Sequence, residues 1–259
     1  MVKLFSLLIS LTPLALAQLP AGNEAGVSMG HLHLNTKDVE ASKRFWGDQL
    51  GGSVVKFGRF EVVKFPGTIV FLTKADPGGG TEGSSVDHVG FLVRDLNTAL
   101  AKWKANSVTI ARVVSPVQLF LMSPEGVKVE IYEDKTISAP VVNHHIHFWT
   151  SSVDDTKAWY VKTFSAIPGK RLRFEAADVP GVNLSFTKAE TPVVGTKGRA
   201  LDHIGFEVKN LEAFCKKLEA AGIKFDRPYK DNPQIGLGIA FFTDPWGTYV
   251  ELTEGLSKI

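Results

Sequence analysis

The sequence contains little of what marks disulfide-rich, nucleic-acid-binding or membrane-embedded proteins. Cysteine occurs once in 259 residues, at Cys215, so no disulfide can form within the chain. The formal net charge is only +2 and the basic residues are scattered, which argues against a nucleic-acid partner or a polybasic membrane surface. With 44% hydrophobic and 22% charged residues, the composition is that of a globular protein with one large or two small domains.

A long apolar run occurs only at the N-terminus, in "MVKLFSLLISLTPLALAQLP". Lys3 precedes the run, Pro13 interrupts it, and Ala15-Leu16-Ala17 ends it, which is the order of a secretory signal peptide. A membrane-spanning helix needs about 20 apolar residues, more than this run provides. The sequence therefore predicts a signal peptide at 1–17, cleavage after Ala17, and a secreted or periplasmic protein that is free of the membrane after cleavage.

The rest of the chain repeats itself. "HLHLNTKDVEASKRFW" from His31 matches "HIHFWTSSVDDTKAWY" from His145 at an offset of 114 positions. "VDHVGFLVRDL" matches "LDHIGFEVKNL" at an offset of 115, and "SPEGVKVEIYE" matches "DPWGTYVELTE" at an offset of 121. Two copies of one domain explain these matches. We predict an N-terminal linker at 18–29, a first domain at 30–134, a linker at 135–142, a second domain at 143–255 and a tail at 256–259.

Each copy contains two smaller units. Amphipathic helices are predicted at 38–50, 96–105, 153–164 and 211–221, each preceded by a strand and followed by short alternating strands such as "TIVFLT", "VQLFLM" and "KVEIY". The predicted fold class is α+β, with two βαβββ modules per domain forming a curled mixed sheet around a cleft. Reactive side chains are expected at alternate strand positions that face the cleft.

Histidine and glutamate recur at matching positions of the two copies. His31 and His33 share one strand face, as do His145 and His147, whereas His144 is expected to point the other way. Two imidazoles and one carboxylate from separate strands hold a metal and leave positions open for substrate or water. The order of the chain groups them within each half, and the predicted metal ligands are His31, His88 and Glu130 in the first set and His145, His203 and Glu251 in the second.

These motifs resemble those of the vicinal oxygen chelate superfamily, the glyoxalase, bleomycin-resistance and extradiol-dioxygenase group. The resemblance implies two tandem glyoxalase-like domains and a divalent metal held by the same six residues, which chelates neighbouring oxygens of a small-molecule substrate. The donor set accepts Zn, Fe, Mn, Ni or Mg. His33 and His147 are candidates for the catalytic base or for partners of the ligands, and Tyr132 and Tyr249 are candidates for substrate contacts or for packing.

The chain also departs from the patterns of that superfamily. Glyoxalase I usually takes a fourth ligand where this chain has Phe71 and Ser185, and phenylalanine cannot bind a metal. The extradiol signature begins with a histidine and a tyrosine, and Phe241 stands in place of the tyrosine. Three alternatives to a glyoxalase-like enzyme follow: a ring-cleaving dioxygenase with other acid and base residues, a protein that binds metal or ligand without turnover, and a chain in which one half, more readily the first, is only a structural partner.

Overall fold

The computed structural model describes residues 19–259, so the predicted signal peptide at 1–17 lies outside the described residues. Within them, no helix is long and apolar enough to cross a membrane. The strands are β1 (Val27–Thr36), β2 (Ser53–Phe57), β3 (Phe60–Phe65), β4 (Thr68–Lys74), β5 (Val86–Val93), β6 (Thr109–Ser115), β7 (Gln118–Met122), β8 (Lys128–Glu133), β9 (Val141–Thr150), β10 (Ile167–Arg171), β11 (Phe174–Val179), β12 (Val182–Lys188), β13 (Leu201–Val208), β14 (Phe225–Asn232), β15 (Leu237–Thr243) and β16 (Tyr249–Glu254).

Four helices each follow the first strand of a module: α1 (Val39–Lys43), α2 (Leu96–Ala105), α3 (Val153–Phe164) and α4 (Leu211–Ala220). A π-helical turn, Arg44–Gln49, continues α1 and places Trp46 in the core. Asp38 and Asp95 begin α1 and α2 by accepting hydrogen bonds from the backbone N–H groups of Ala41 and Thr98. The four βαβββ modules predicted from the sequence are therefore confirmed. Cys215 is buried in α4, and burial raises the pKa of its thiol to about 12.

The modules pair differently from their order in the chain. One eight-stranded sheet has the order β14-β15-β16-β13-β1-β4-β3-β2 and combines the first and fourth modules; we call it the terminal sheet. The other has the order β10-β11-β12-β9-β5-β8-β7-β6 and combines the second and third modules; we call it the central sheet. The ranges 30–134 and 143–255 are the two copies of the repeat, but neither forms a sheet of its own.

The first strands of the four modules join the halves of each sheet. β1 pairs antiparallel with β13, and β5 pairs antiparallel with β9. All four strands carry the same pattern, with apolar side chains on one face and histidine on the other, so either pairing of modules satisfies the alternation. Hydrophobic pattern therefore predicts the module and its faces, while the partner of each module is decided by tertiary structure.

Buried carboxylates connect the two sheets through the helices. Glu125, between β7 and β8 of the central sheet, accepts hydrogen bonds from Trp46 Nε1 at 2.7 Å and from Ser42 Oγ at 2.8 Å, both in the first module. Asp244, between β15 and β16 of the terminal sheet, accepts one from the hydroxyl of Tyr160 in α3 at 2.8 Å. Burial raises the pKa of Glu125 and of Asp244. Each half of the repeat is thus held together by a carboxylate although its strands lie in different sheets.

We expect Glu125→Ala to lower the free energy of unfolding by about 2–4 kcal/mol, because Trp46 Nε1 and Ser42 Oγ lose a buried acceptor. Glu125→Gln keeps an acceptor oxygen and should stay within about 1 kcal/mol of the wild type at pH 7. Burial raises the pKa of Glu125 in the folded state, so the ionised carboxylate costs stability above its unfolded pKa. In urea unfolding, the free energy of unfolding of the wild type should therefore rise relative to that of Glu125→Gln as the pH falls toward 4.5. An alanine variant as stable as the wild type would contradict this assignment.

Candidate metal centres

Four side chains converge on one face of the terminal sheet: His31 and His33 from β1, His203 from β13 and Glu251 from β16. Their donor atoms all lie within 4.8 Å of one another. Nε2 of His31 and Nε2 of His203 lie 2.9 and 2.8 Å from the same carboxylate oxygen, Oε2 of Glu251. These four residues form what we call the terminal site.

The central sheet contains a second group with the same design. His88 from β5 and His145 and His147 from β9 bring their donor atoms within 4.8 Å of one another. Oε2 of Glu130 on β8 lies 3.2 Å from Nε2 of His88 and 2.9 Å from Nε2 of His145. These four residues form the central site.

The grouping expected from the order of the chain is wrong, although all six predicted residues do meet in two sets. His31 lies with His203 and Glu251, and His145 lies with His88 and Glu130. The reason is the exchange of modules between sheets, because the first strand of one half pairs with the first strand of a module from the other half. Each candidate site therefore combines side chains from both halves of the chain.

Two glycines make room for the histidine rings. Gly205 lies opposite His31 in the pairing of β1 with β13, and Gly90 lies opposite His145 in the pairing of β5 with β9. A Cβ at Gly205 would overlap the imidazole of His31, and one at Gly90 would overlap that of His145. The glycine in "DHVGF" and "DHIGF" is therefore required by the site, and its recurrence in both copies was the signal that sequence reasoning passed over.

The aspartates of the same motifs orient two of the predicted ligands. Oδ1 of Asp87 accepts from Nδ1 of His88 at 2.6 Å, and Oδ1 of Asp202 accepts from Nδ1 of His203 at 2.5 Å. This bond places the proton of a neutral imidazole on Nδ1 and leaves the Nε2 lone pair free for a metal. Sequence reasoning assigned no function to either aspartate, although both precede a predicted ligand directly.

His144 contacts the central site, contrary to the expectation from strand alternation. Its Nδ1 lies 3.0 Å from Nδ1 of His145. The register of β9 against β5 shifts at this point, since Gly90 pairs with His145 while Phe91 pairs with Asn143. Such a β-bulge adds one residue to a strand and turns its side chain away from strict alternation. His144 therefore belongs to the surroundings of His145.

The protonation states suit a cation. Burial lowers the pKa of His31 and lowers that of His145 well below its ordinary value, so both imidazoles are neutral near pH 7. Burial alone would raise the pKa of Glu130 and Glu251, but their close contacts with the neighbouring histidines lower it strongly instead, so both carboxylates are ionised. Neutral imidazole and ionised carboxylate are the forms that bind a divalent metal.

The donor sets also leave a place for a positive charge, which a proton or a metal can fill. When Asp202 accepts the Nδ1 proton, neutral His203 points its Nε2 lone pair at Oε2 of Glu251, which lies 2.8 Å away. Two electron pairs at this distance repel each other unless a proton or a cation lies between them. Nε2 of His145 is buried and makes no hydrogen bond among the described residues, although Oε2 of Glu130 lies 2.9 Å away. The residues present therefore fit a divalent metal in both sites.

The chain matches one family model in two regions, residues 28–166 and 143–252, and that model is described as Glyoxalase/Bleomycin resistance protein/Dioxygenase superfamily. The chain belongs to this superfamily. Among curated proteins, "Glyoxylase I 4" from Arabidopsis thaliana is 30% identical over 118 residues, which are 42% of this chain and 68% of that protein.

Two solved structures share the tandem fold. Glyoxalase I from Zea mays matches with a TM-score of 0.71 and 16% sequence identity over 90% of this chain and 94% of that chain. A putative dioxygenase from Bacillus subtilis matches with a TM-score of 0.68 and 14% identity over 92% and 86%. At these identities the likeness concerns the fold alone. It confirms the tandem glyoxalase-like architecture predicted from the sequence.

Phe71 and Ser185, which stand where glyoxalase I is expected to carry a fourth ligand, make other contacts in both sites. Phe71 stacks on His33, with ring centroids 5.7 Å apart, and meets His31 edge-on at 5.1 Å. The hydroxyl of Ser185 accepts a hydrogen bond from Arg171 Nε at 2.8 Å and donates one to Asn183 at 2.7 Å. The fourth-ligand position thus offers an apolar ring in the terminal site and an occupied hydroxyl in the central site.

The remaining predicted site residues lie beside the ligands. His33 pairs with the hydroxyl of Thr73 at 2.7 Å, and His147 pairs with that of Thr187 at 2.8 Å. Burial lowers the pKa of both histidines to about 3. Tyr249 is buried and stacks on Phe241 with centroids 5.3 Å apart, while Tyr132 is half-buried next to Arg171. Sequence reasoning missed Arg171, whose counterpart in the first copy is Phe57, because nothing in the repeat marks it.

Proposed function

We propose that the protein is a divalent-metal-dependent enzyme of its superfamily, with two metal centres that bind small substrates through neighbouring oxygens. The observation that carries the proposal is the convergence of two imidazole Nε2 atoms on one carboxylate oxygen in each sheet. His31, His203 and Glu251 would hold one metal, and His88, His145 and Glu130 the other. Three protein ligands leave coordination positions for substrate or water.

A bound divalent metal would act as a Lewis acid that stabilises negative charge on a substrate oxygen. Asp87 and Asp202 hold the ligand imidazoles in the tautomer that such binding needs. His33 and His147 are neutral at pH 7, because burial lowers their pKa to about 3, and each has a threonine hydroxyl beside one ring nitrogen. Both imidazoles are unprotonated and could accept a proton, but they are weak bases. They would therefore remove a substrate proton whose acidity is increased when the substrate binds the metal.

An enzyme that acts by proton transfer is favoured over ring cleavage by the surroundings of His203. Phe241 packs edge-on against this ring, with centroids 5.4 Å apart, at the position where a ring-cleaving enzyme would carry a tyrosine. Phenylalanine has no proton to give or take. We further propose export, based on the signal-like segment at 1–17.

Metal content and proton exchange together test the proposal. Protein from its native compartment should carry two equivalents of Zn, Fe, Mn, Ni or Mg, and should exchange the C–H hydrogens of hydroxyacetone with D₂O in a metal-dependent way. His33→Gln and His147→Gln should each slow exchange while keeping metal content. Oxygen uptake with catechol would favour the dioxygenase instead, and metal without any turnover would favour a binding protein. Metal-free native protein would refute the proposal.

The terminal site should lose metal affinity as the pH falls. Burial alone would lower the pKa of His203, but hydrogen bonds with Asp202 and Glu251 raise it above 6.5. A metal must displace the proton from this imidazole, so its apparent affinity should fall about tenfold per pH unit below that raised pKa. Dialysis at a series of pH values against buffered Zn²⁺, with the His88→Ala and His145→Ala double variant to isolate the terminal site, measures this slope. A flat profile between pH 5 and pH 7 would contradict it.

A further inference from the structure

The two sites share their ligand set but differ in what surrounds it. Arg171 of the central sheet stands where the terminal sheet has Phe57, since each is the partner of a phenylalanine on the next strand. Ser185 stands where the terminal sheet has Phe71, opposite the second histidine of its strand. Gln118 stands where the terminal sheet has Ile239. The duplication therefore kept the ligands and made one site polar and the other apolar.

Arg171 reaches into the central site with an unused donor. Its Nε donates to Ser185 Oγ at 2.8 Å, and its guanidinium lies 5.9 and 5.7 Å from the ring centroids of Tyr132 and Phe174. The side chain is only 9% exposed, and its Nη2 is buried without a hydrogen-bond partner among residues 19–259. The oxygen Oε2 of Glu130 lies 3.6 Å from Nη2, too far for a hydrogen bond. A buried, charged donor without a partner costs free energy, which an anionic acceptor would recover.

Charge makes the same distinction between the sites. In the central site, Arg171 and Lys128 contact and balance the acidic Glu130 and Asp87. In the terminal site, the salt bridges of Glu251 and Asp202 within the described part of the chain are made by histidines, without a lysine or arginine. Lys128 also pairs with Glu82, but that carboxylate is 64% exposed and its charge is screened by solvent. When Glu82 is left out for this reason, a divalent cation leaves an excess of two positive charges in the central site and none in the terminal site.

Other cations near the terminal site do not alter this difference. Lys64 lies two strands away from β1 and donates to the backbone carbonyl of Ile259. Arg227 and Lys197 stack on Phe241 and Tyr249 but are exposed to solvent, which screens their charge. The terminal site is instead lined by Phe71, which packs edge-on against Phe57 with ring centroids 6.3 Å apart.

We propose that the central site is specific for an anionic ligand, a small carboxylate with a second oxygen on the neighbouring carbon, and that Arg171 Nη2 pairs with its charge. The terminal site has no such group and does not select for an anion. This assignment rests on the proposed metal centres for the second oxygen, and on Arg171 alone for the charge. The two sites of one chain would then take different classes of ligand.

Glycolate and ethylene glycol are matched probes, because both offer neighbouring oxygens and only glycolate is charged. Mn²⁺ is loaded into a His31→Ala and His203→Ala double variant, which keeps the central site, and into a His88→Ala and His145→Ala double variant, which keeps the terminal site. Displacement of metal-bound water is followed by water proton relaxation. We expect glycolate to bind the central site at least tenfold more tightly than the terminal site, and ethylene glycol to show no preference. Equal glycolate affinities would overturn the proposal.

Arg171→Gln should remove the preference while Mn²⁺ content stays unchanged. Lys170→Gln is the matched control, since it removes a charge from the adjacent residue, which is 68% exposed and pairs with Glu175. An equal loss in Lys170→Gln would overturn the proposal. The guanidinium NMR signals of Arg171 are assigned as those that are missing from the spectrum of Arg171→Gln. In the metal-free wild type these signals should shift when glycolate is added but not when ethylene glycol is added. If these signals do not shift with glycolate, the anion site is overturned whether or not metal binds. If the variants do not retain Mn²⁺, the proposed metal centres are refuted but the anion site is not.

Discussion

Gly205→Ala is expected to empty the terminal site while the central site keeps its metal. A Cβ at this position would overlap the imidazole of His31, and Gly205 cannot move away because β13 is paired on both sides, with β1 and β16. The ring must leave its position against Glu251, so metal affinity should fall at least about 100-fold. Gly90→Ala should have the reciprocal effect, because its Cβ would overlap the ring of His145.

Metal analysis after gel filtration measures both losses, with one equivalent expected in each variant and two in the wild type. Gly169→Ala is the matched control: it lies on β10 of the central sheet, and its Cβ would meet its nearest neighbouring atom only at 4.0 Å. Circular dichroism checks that each variant is folded. Two equivalents of metal in Gly205→Ala would show that His31 can bind metal without the space left by the missing side chain of Gly205.

The terminal site should hold its metal more tightly than the central site, by about 100-fold. Its ligands and their aspartate are not balanced by a contacting lysine or arginine within residues 19–259, whereas Arg171 and Lys128 neutralise the acidic groups of the central site. A neighbouring positive charge opposes the entry of a cation, and burial weakens the screening by water.

A chelator titration with EDTA should therefore remove metal in two steps, the central site first. Arg171→Gln should move the two steps closer together, because it removes the cation that lies 3.6 Å from Glu130. Lys37→Gln, at an exposed lysine paired with Asp76, should leave both steps in place. Removal from the terminal site before the central site would contradict this explanation.

Much of the fold could be predicted from the sequence because its signals are local. The alternation of strands, the helix lengths and the repeat are all visible within short windows, and the four modules were confirmed. The pairing of modules was not predictable in this way, since β1, β5, β9 and β13 carry the same pattern and can exchange partners without exposing apolar surface. That single ambiguity placed the six predicted ligands in two groups that differ from those in the structure.

The candidate site was partly predictable because the chain contains two copies of it. His31, His145 and their partners recur at the repeat offset, so duplication made them visible. Asp202 and Gly205 recur as well, but an aspartate or a glycine in a strand has many ordinary explanations until its contacts are known. Arg171 occurs in one copy only, and the bulge at His144 depends on the register between two distant strands. Such features require the three-dimensional structure.

The pairing of ligands across the two halves is tested most directly by the metal content of two double variants. His31→Ala with His203→Ala disables one site in the structure, so we predict that one equivalent of metal remains. His31→Ala with His88→Ala disables both sites, so we predict that none remains. The opposite result, with metal retained in the His31→Ala and His88→Ala variant and lost in the other, would show that each half of the chain holds its own metal and would contradict the account.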